Sequence, residues 1–214
     1  MFKDRFDAGE KLAQALLEYK GRKDTIILAI PRGALQIGKI LHERLGLPLD
    51  IIITKKIPHP MNDEFAIGAI GSDGKYFLNN PPSIEVPMAY VERKIREISD
   101  SIAERYRRYG SSIPNLAGKT VIIVDDGVAT GSTMKIAVRI VKRQKAGKVV
   151  VAVPVGAPGS IAMLKKEADE MVCLETPWPF FAIGQFYESF PQVEDEEAIA
   201  ILSAARTAKA RKRA

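Results

Sequence analysis

The stretch Val121-Ile122-Ile123-Val124-Asp125-Asp126-Gly127-Val128-Ala129-Thr130-Gly131-Ser132-Thr133 constrains this chain more than any other part of it. Its first four residues are apolar and β-branched, a run too short for a helix and suited to a fully buried strand. Two carboxylates follow where that strand should end. Small and hydroxyl residues come next, and Met134-Lys135-Ile136-Ala137-Val138 then starts a helical pattern. This order suits a sugar phosphate. The first N–H groups of a helix lack intrahelical partners and carry partial positive charge, so an anion can sit there. Gly131 permits close backbone approach. Thr130, Ser132 and Thr133 offer hydroxyl donors, and the carboxylates can accept bonds from vicinal hydroxyls. The competing reading is an ordinary turn whose acids cap the helix and face water. Adjacent carboxylates about 4 Å apart repel by about 4 kcal/mol at an effective dielectric of about 20, so burying both requires partners.

Composition sets the frame around this stretch. The 214 residues suffice for one domain with a substantial core. No apolar run reaches the length of a membrane span. The opening Met1-Phe2-Lys3-Asp4-Arg5-Phe6-Asp7 has no signal-peptide core, and Cys173 is the lone cysteine, which excludes a disulfide framework or a thiolate metal cluster. A cytoplasmic protein is the expectation. The formal charge of +6 suggests nucleic acid at first sight. However, Arg206, Lys209, Arg211, Lys212 and Arg213 supply five of those charges within the last nine residues, which hold no acid. The body is nearly neutral. The tail from residue 207 to 214 is expected to be solvated and disordered, which argues against a nucleic-acid partner.

Along the chain, Asp7 to Lys20 reads as an amphipathic helix with Asp7 as N-cap, ended by Gly21. Thr25 to Ile30 is a buried strand, Ala34 to Leu45 a helix, and Leu49 to Thr54 the next strand. Two βα units in succession indicate a parallel sheet. From Lys55 to Pro87, glycines and prolines interrupt the pattern. Two short apolar pieces, 66–70 and 76–78, flank Gly71-Ser72-Asp73-Gly74 and suggest a hairpin. Met88 to Tyr109 reads as a long helix, with Arg93, Lys94, Arg96, Arg105, Arg107 and Arg108 mixed with acids on a solvated face. Strands follow at 149–153 and 171–174, with a helix at 157–168 between them. An aromatic stretch containing Trp178, Phe180 and Phe181 precedes a last helix opened by Glu194-Asp195-Glu196-Glu197.

A second strand-to-helix loop, Ile30-Pro31-Arg32-Gly33-Ala34, lies at the carboxyl end of an expected parallel strand, where open α/β sheets bind ligands. Its N–H groups and Arg32, a bidentate phosphate ligand, can hold another anion. The 121–133 stretch closely resembles the phosphoribosyl pyrophosphate (PRPP) motif of type I phosphoribosyltransferases. That motif runs as four hydrophobic residues, two acids, two variable residues, a small residue, Thr-Gly, a small residue and Thr. The single departure is Gly127, where an aliphatic residue is usual. Asp7-Ala8-Gly9 and Ile-Pro-Arg-Gly resemble a subgroup of that family whose acceptor is unassigned.

The resemblance implies a single α/β domain over residues 1–206. Its parallel sheet and flanking helices would span about 25–174, with a flexible-loop hairpin. A small hood would be formed by 175–193 and the N-terminal segment. It implies transfer of a 5-phosphoribosyl group from PRPP to a nitrogen acceptor, a nucleobase, with release of pyrophosphate. Asp125 and Asp126 would hold the ribose hydroxyls. Gly127, Ala129, Thr130, Gly131, Ser132 and Thr133 would form the ribose and 5-phosphate cradle. Arg32, Gly33, Lys55 and Lys56 would hold the pyrophosphate, the lysines from a mobile closing loop. Trp178, Phe180 and Phe181 would stack on the acceptor, with Gln185, Tyr187 and Glu188 as polar contacts. Mg²⁺ would ride mainly on PRPP, reaching Asp125 and Asp126 through water. A homodimer is an assembly open to such a chain. Ala129 stands where hypoxanthine-guanine enzymes carry an acid that serves as base, which argues against that activity by that route. The alternative is a PRPP-sensing regulator that binds RNA or DNA.

Overall fold

Runs of buried aliphatic residues make β1 (Thr25–Ala29), β2 (Leu49–Ile51), β6 (Thr120–Val124), β7 (Lys148–Val155) and β8 (Glu170–Glu175). They pair in parallel, in the order β2-β1-β6-β7-β8. This computed structural model describes residues 1–71, 74, 76–78, 86–112 and 114–211, with backbone only for 62–65 and 208–211. Strand alternation sends successive side chains to opposite faces. Ile27, Ala29, Ile122, Val124, Val150 and Ala152 face one apolar layer, and Ile26, Leu28, Val121, Ile123, Val149 and Val151 face the other. Helices α1 (Arg5–Ala15), α2 (Ala34–Leu45) and α6 (Asp195–Arg211) cover the first face, and α4 (Ser132–Arg143) and α5 (Pro158–Glu167) the second. The chain moves outward from β1 to β2 and then returns to the other side of β1 with β6. The crevice at the carboxyl ends of β1 and β6 is therefore the sheet's topological switch point, where ligands of such sheets bind.

Several local expectations are corrected. The first helix starts at Arg5, capped by the Asp4 carboxylate, which accepts from Asp7 N–H at 2.8 Å. A side-chain oxygen three residues ahead satisfies an orphan N–H, and Asp4 fills that role better placed than Asp7. The strand expected over 49–54 ends at Ile51. The chain then enters a separate antiparallel sheet of β3 (Thr54–His59), β4 (Asn62–Gly71) and β5 (Tyr76–Leu78). The hairpin expected from 66–70 and 76–78 is formed by β4 and β5, and β3 extends it to three strands, with Ile57, Ile67 and Ile70 buried. The tip at Ser72 and Asp73 lies outside the described residues. Helix α3 (Met88–Arg108) packs against this sheet through Val91, Ile102 and Tyr106. The Tyr106 hydroxyl donates to the Ile51 carbonyl at 3.1 Å.

The last helix reaches into the C-terminal basic segment. Helix α6 extends to Arg211, into the first part of the basic tail expected over 207–214. Alanines at 204, 205, 208 and 210 favour helix, and basic residues suit a helix C-terminus. Residues 212–214 lie outside the described residues. Among the described residues no helix is long and apolar enough to cross a membrane.

Candidate active site at the carboxyl ends of β1 and β6

The acidic pair ends β6 with two different environments. Asp126 is buried and accepts from Arg5 Nε at 2.8 Å. Arg5 also donates to the Pro191 carbonyl at 2.7 Å, and its guanidinium lies 3.7 Å from the centre of the Phe190 ring. A buried charge needs such a set of partners. The Tyr187 hydroxyl donates to the Asp126 carbonyl at 2.6 Å, and that burial, with the nearby carboxylates, pushes its own pKa up. A Cβ at Gly33 would run into Asp126 Oδ2, so glycine in the 31–33 loop is what lets the loop and the carboxylate meet. The Pro31–Arg32 peptide is cis. Asp125 is half-buried and accepts from Asp126 N–H at 2.9 Å; it forms no ion pair among the described residues, and Arg5, bonded to Asp126, is the cation that acts on it. Burial first, and the Asp126 charge second, hold its carboxyl well above the ordinary carboxylate range.

The turn after the pair is pinned from below and open above. Val128 N–H donates to Val155 and Ala157 N–H to Val128, tying the turn to the end of β7. The Ser160 hydroxyl donates to the Ala129 carbonyl at 2.6 Å. Gly131 has φ +75°, a conformation that side-chain-bearing residues rarely adopt, and a Cβ there would also stand 2.8 Å from Met163 Cε. No side chain caps α4, and Thr130, Ser132 and Thr133 lie around its start, with Thr130 and Thr133 exposed. Thr130 Oγ1 donates to the Ser132 hydroxyl at 3.3 Å and accepts from Ser132 N–H at 3.5 Å, so hydroxyls gather at a helix start whose next N–H groups are open, an arrangement that suits a phosphate. Gly127 has a local reason. Ile183 Cγ2 would lie 2.6 Å from a Cβ at that position, so the segment after β8 occupies the volume an aliphatic side chain would fill.

The expected pyrophosphate ligands do not all converge. Arg32 sits on the 31–33 loop beside Asp126, with Glu194 Oε2 and Asp195 Oδ1 each 3.7 Å away. Lys55 is turned toward α3, donating to the Ser101 hydroxyl at 2.6 Å. Lys56 is exposed and lines a cleft of about 280 Å³ with Ser132, Lys135 and Arg139, next to the phosphate turn rather than the Arg32 loop.

The hood aromatics also divide. Trp178 and Phe181 are exposed, whereas Phe180 packs on Phe186 with ring centres 4.8 Å apart. Gln185 is already engaged: its side chain accepts from Phe181 and Ala182 N–H and donates to the Pro179 carbonyl. With Tyr187 bonded to the Asp126 carbonyl, both of these expected base contacts hold the hood together instead. Phe2 pairs with Tyr187, which fastens the N-terminus to the hood.

Arg5 is the site residue the sequence reading missed. An arginine among charged neighbours at the start of an amphipathic helix carries no local sign of burial, and its partners lie 121 and 186 residues away.

A family model described as the phosphoribosyl transferase domain matches residues 2–188. Two Mycobacterium tuberculosis proteins provisionally named phosphoribosyl transferases, from strains CDC 1551 / Oshkosh and H37Rv, are 41% identical over 210 residues, 96% of this chain. The chain spans about half the length, 47%, of these curated relatives. The crystal structure of TT1426 from Thermus thermophilus is 37% identical with a TM-score of 0.84, covering 94% of this chain and 97% of that one.

Proposed function

The chain belongs to the phosphoribosyl transferase domain family, and we propose that it transfers a 5-phosphoribosyl group from PRPP to a nitrogen acceptor, a nucleobase, releasing pyrophosphate. The observation that carries this proposal is the meeting of three features at one switch point. The Asp125–Asp126 pair, the uncapped α4 N-terminus and the Arg32 loop all lie at the carboxyl ends of β1 and β6.

In this mechanism the 5-phosphate sits on the Ala129–Thr133 turn, where N–H groups and hydroxyls fix one end of the substrate. Asp125 and Asp126 accept from the ribose hydroxyls. The acceptor nitrogen forms a bond to C1 as the C1–oxygen bond breaks; pyrophosphate leaves with the bonding electron pair, and the proton of the acceptor N–H passes to water or to the departing pyrophosphate. Positive charge develops on the ribose ring in between, and the carboxylates beneath it stabilise that charge. Arg32 steadies the departing pyrophosphate. Holding both reactants in line supplies much of the rate gain.

The donor set fits a Mg²⁺ ion. Among the described residues Asp125 forms no ion pair, and burial first and the Asp126 charge second hold its pKa above the ordinary value against the weaker pull of Arg5, a condition that a bound cation would reverse. Among the described residues no group of three ligating side chains converges, so such an ion would draw most of its ligands from substrate oxygens and water. When bound, it neutralises charge on the leaving pyrophosphate.

The test is incubation with PRPP, Mg²⁺ and each nucleobase in turn, following pyrophosphate and nucleoside monophosphate. At least one base should give both products in equal amounts. Tight PRPP binding with no product for any base would indicate a PRPP sensor instead. Failure to bind PRPP would refute the proposal outright.

A further inference from the structure

Three arginines from distant parts of the chain line one cleft of about 520 Å³ beside the 31–33 loop: Arg5, Arg32 and Arg105, with Gly33 and Gln192. Their charges are not equally available. Arg5 is bonded to Asp126 at 2.8 Å. Arg32 faces Glu194 and Asp195 at 3.7 Å, beyond hydrogen-bond length. Asp195 is held more closely by Arg108 at 2.8 Å and by the Tyr109 hydroxyl at 3.1 Å. Arg105 forms no ion pair with a carboxylate among the described residues; the group it acts on is the Tyr109 hydroxyl, where burial pushes the pKa up and the Arg105 charge pulls it down.

Arg105 also differs from its neighbours on α3. Arg107 and Arg108 are exposed, whereas Arg105 is half-buried. It lies three residues after Ile102 and four before Tyr109, both buried, so helical spacing places it at the edge of the packed face. By sequence alone it belongs with the solvated cations. Tyr109, next to it, is buried and bonded to Asp195, so α3 and the start of α6 are braced against each other beside the cleft.

A pyrophosphate group carries several negative charges, and one arginine on a loop is a poor match for it. Lys55 is bonded to Ser101, and Lys56 opens beside Ser132. Arg105 is the remaining cation that shares the Arg32 cleft. We infer that Arg105 is a second pyrophosphate-binding residue, so that α3 contributes directly to the leaving-group subsite. The inference rests on the phosphoribosyl transfer proposed above.

Calorimetric titration tests it, with pyrophosphate plus Mg²⁺ as one probe and ribose 5-phosphate as the other. Arg105→Gln should weaken pyrophosphate binding by about tenfold, the loss expected for one charge-assisted hydrogen bond. It should leave ribose 5-phosphate binding unchanged. Arg107→Gln, a nearby exposed change, should alter neither. Arg105→Lys should restore part of the lost affinity, since it keeps the charge but not the fork. In the wild-type protein, pyrophosphate but not ribose 5-phosphate should shield Arg105 from phenylglyoxal, a measurement that needs no variant to fold. Unchanged pyrophosphate affinity in Arg105→Gln, equal loss for both probes, or no shielding would overturn the inference while leaving the phosphoribosyl proposal standing. A wild-type protein that binds neither probe would overturn both.

Discussion

Asp125 and Asp126 are identical in type and adjacent in sequence, yet the fold assigns them different tasks. Asp126 is locked by Arg5, Gly33 and the Tyr187 hydroxyl, so it is as much a structural residue as a ligand. Replacing it with alanine leaves Arg5 buried without its partner. Asp126→Ala should cost about 3–5 kcal/mol in chemical denaturation. Asp125 has the opposite character. Its folded-state pKa is raised above the ordinary value of 3.8, so the native state holds its proton more tightly than the unfolded chain does. Stability is therefore lost as pH climbs from 3.8 toward the folded-state pKa, and the penalty persists above it. Asp125→Asn removes that penalty. The variant should match the wild type in thermal midpoint at low pH and exceed it at neutral pH, while turnover falls by roughly a hundredfold or more. A midpoint that drops at neutral pH would show that Asp125 is stabilised rather than strained by its surroundings. The two acids and the hydroxyl turn were legible in the sequence, because strand, turn and helix signals are local. Their inequality was not, because Arg5 and Tyr187 arrive from the two far ends of the domain.

At the level of elements, the hood and the strand β3 that joins the hairpin are where local signals gave out. The interval from Lys55 to Pro87 carries enough proline and glycine to look irregular, and Pro58 does disturb the β3–β4 register. The pieces 66–70 and 76–78 were readable as a hairpin, whereas the addition of β3 and the cover supplied by α3 depend on contacts that no short window holds. Gly127 shows the same limit on a smaller scale. It looked like a departure from the motif, and the explanation is Ile183, from the segment after β8, occupying the space beside it. That contact can be tested as a pair. Gly127→Ala alone should cost about 1–3 kcal/mol by overpacking. Combined with Ile183→Ala, it should be milder than the sum of the single changes by about 1 kcal/mol, as measured by a double-mutant cycle in urea. Strict additivity would show that the two positions do not press on each other. Gly131→Ala acts differently, because its φ of +75° strains any side chain. A loss of about 1–2 kcal/mol is expected there, whatever is done at Met163.

For the whole molecule, strand order does the organising. Because β1 lies between β2 and β6, the loops after β1 and β6 emerge side by side, and Gly33 meets Asp126 in one crevice. The sequence indicated a parallel sheet and two anion loops; it did not show that these strands are neighbours, which depends on pairings of high sequence separation. The two ends of the domain then complete the crevice: Arg5 and Phe2 enter from one side, and the hood residues Tyr187, Phe190 and Pro191 from the other. The most direct measurement is a crystal structure of the protein with PRPP and Mg²⁺. The 5-phosphate should lie on the Ala129–Thr133 turn, the ribose hydroxyls on Asp125 and Asp126, and the pyrophosphate at Arg32. PRPP bound away from the ends of β1 and β6, or in the reverse orientation across them, would contradict the account.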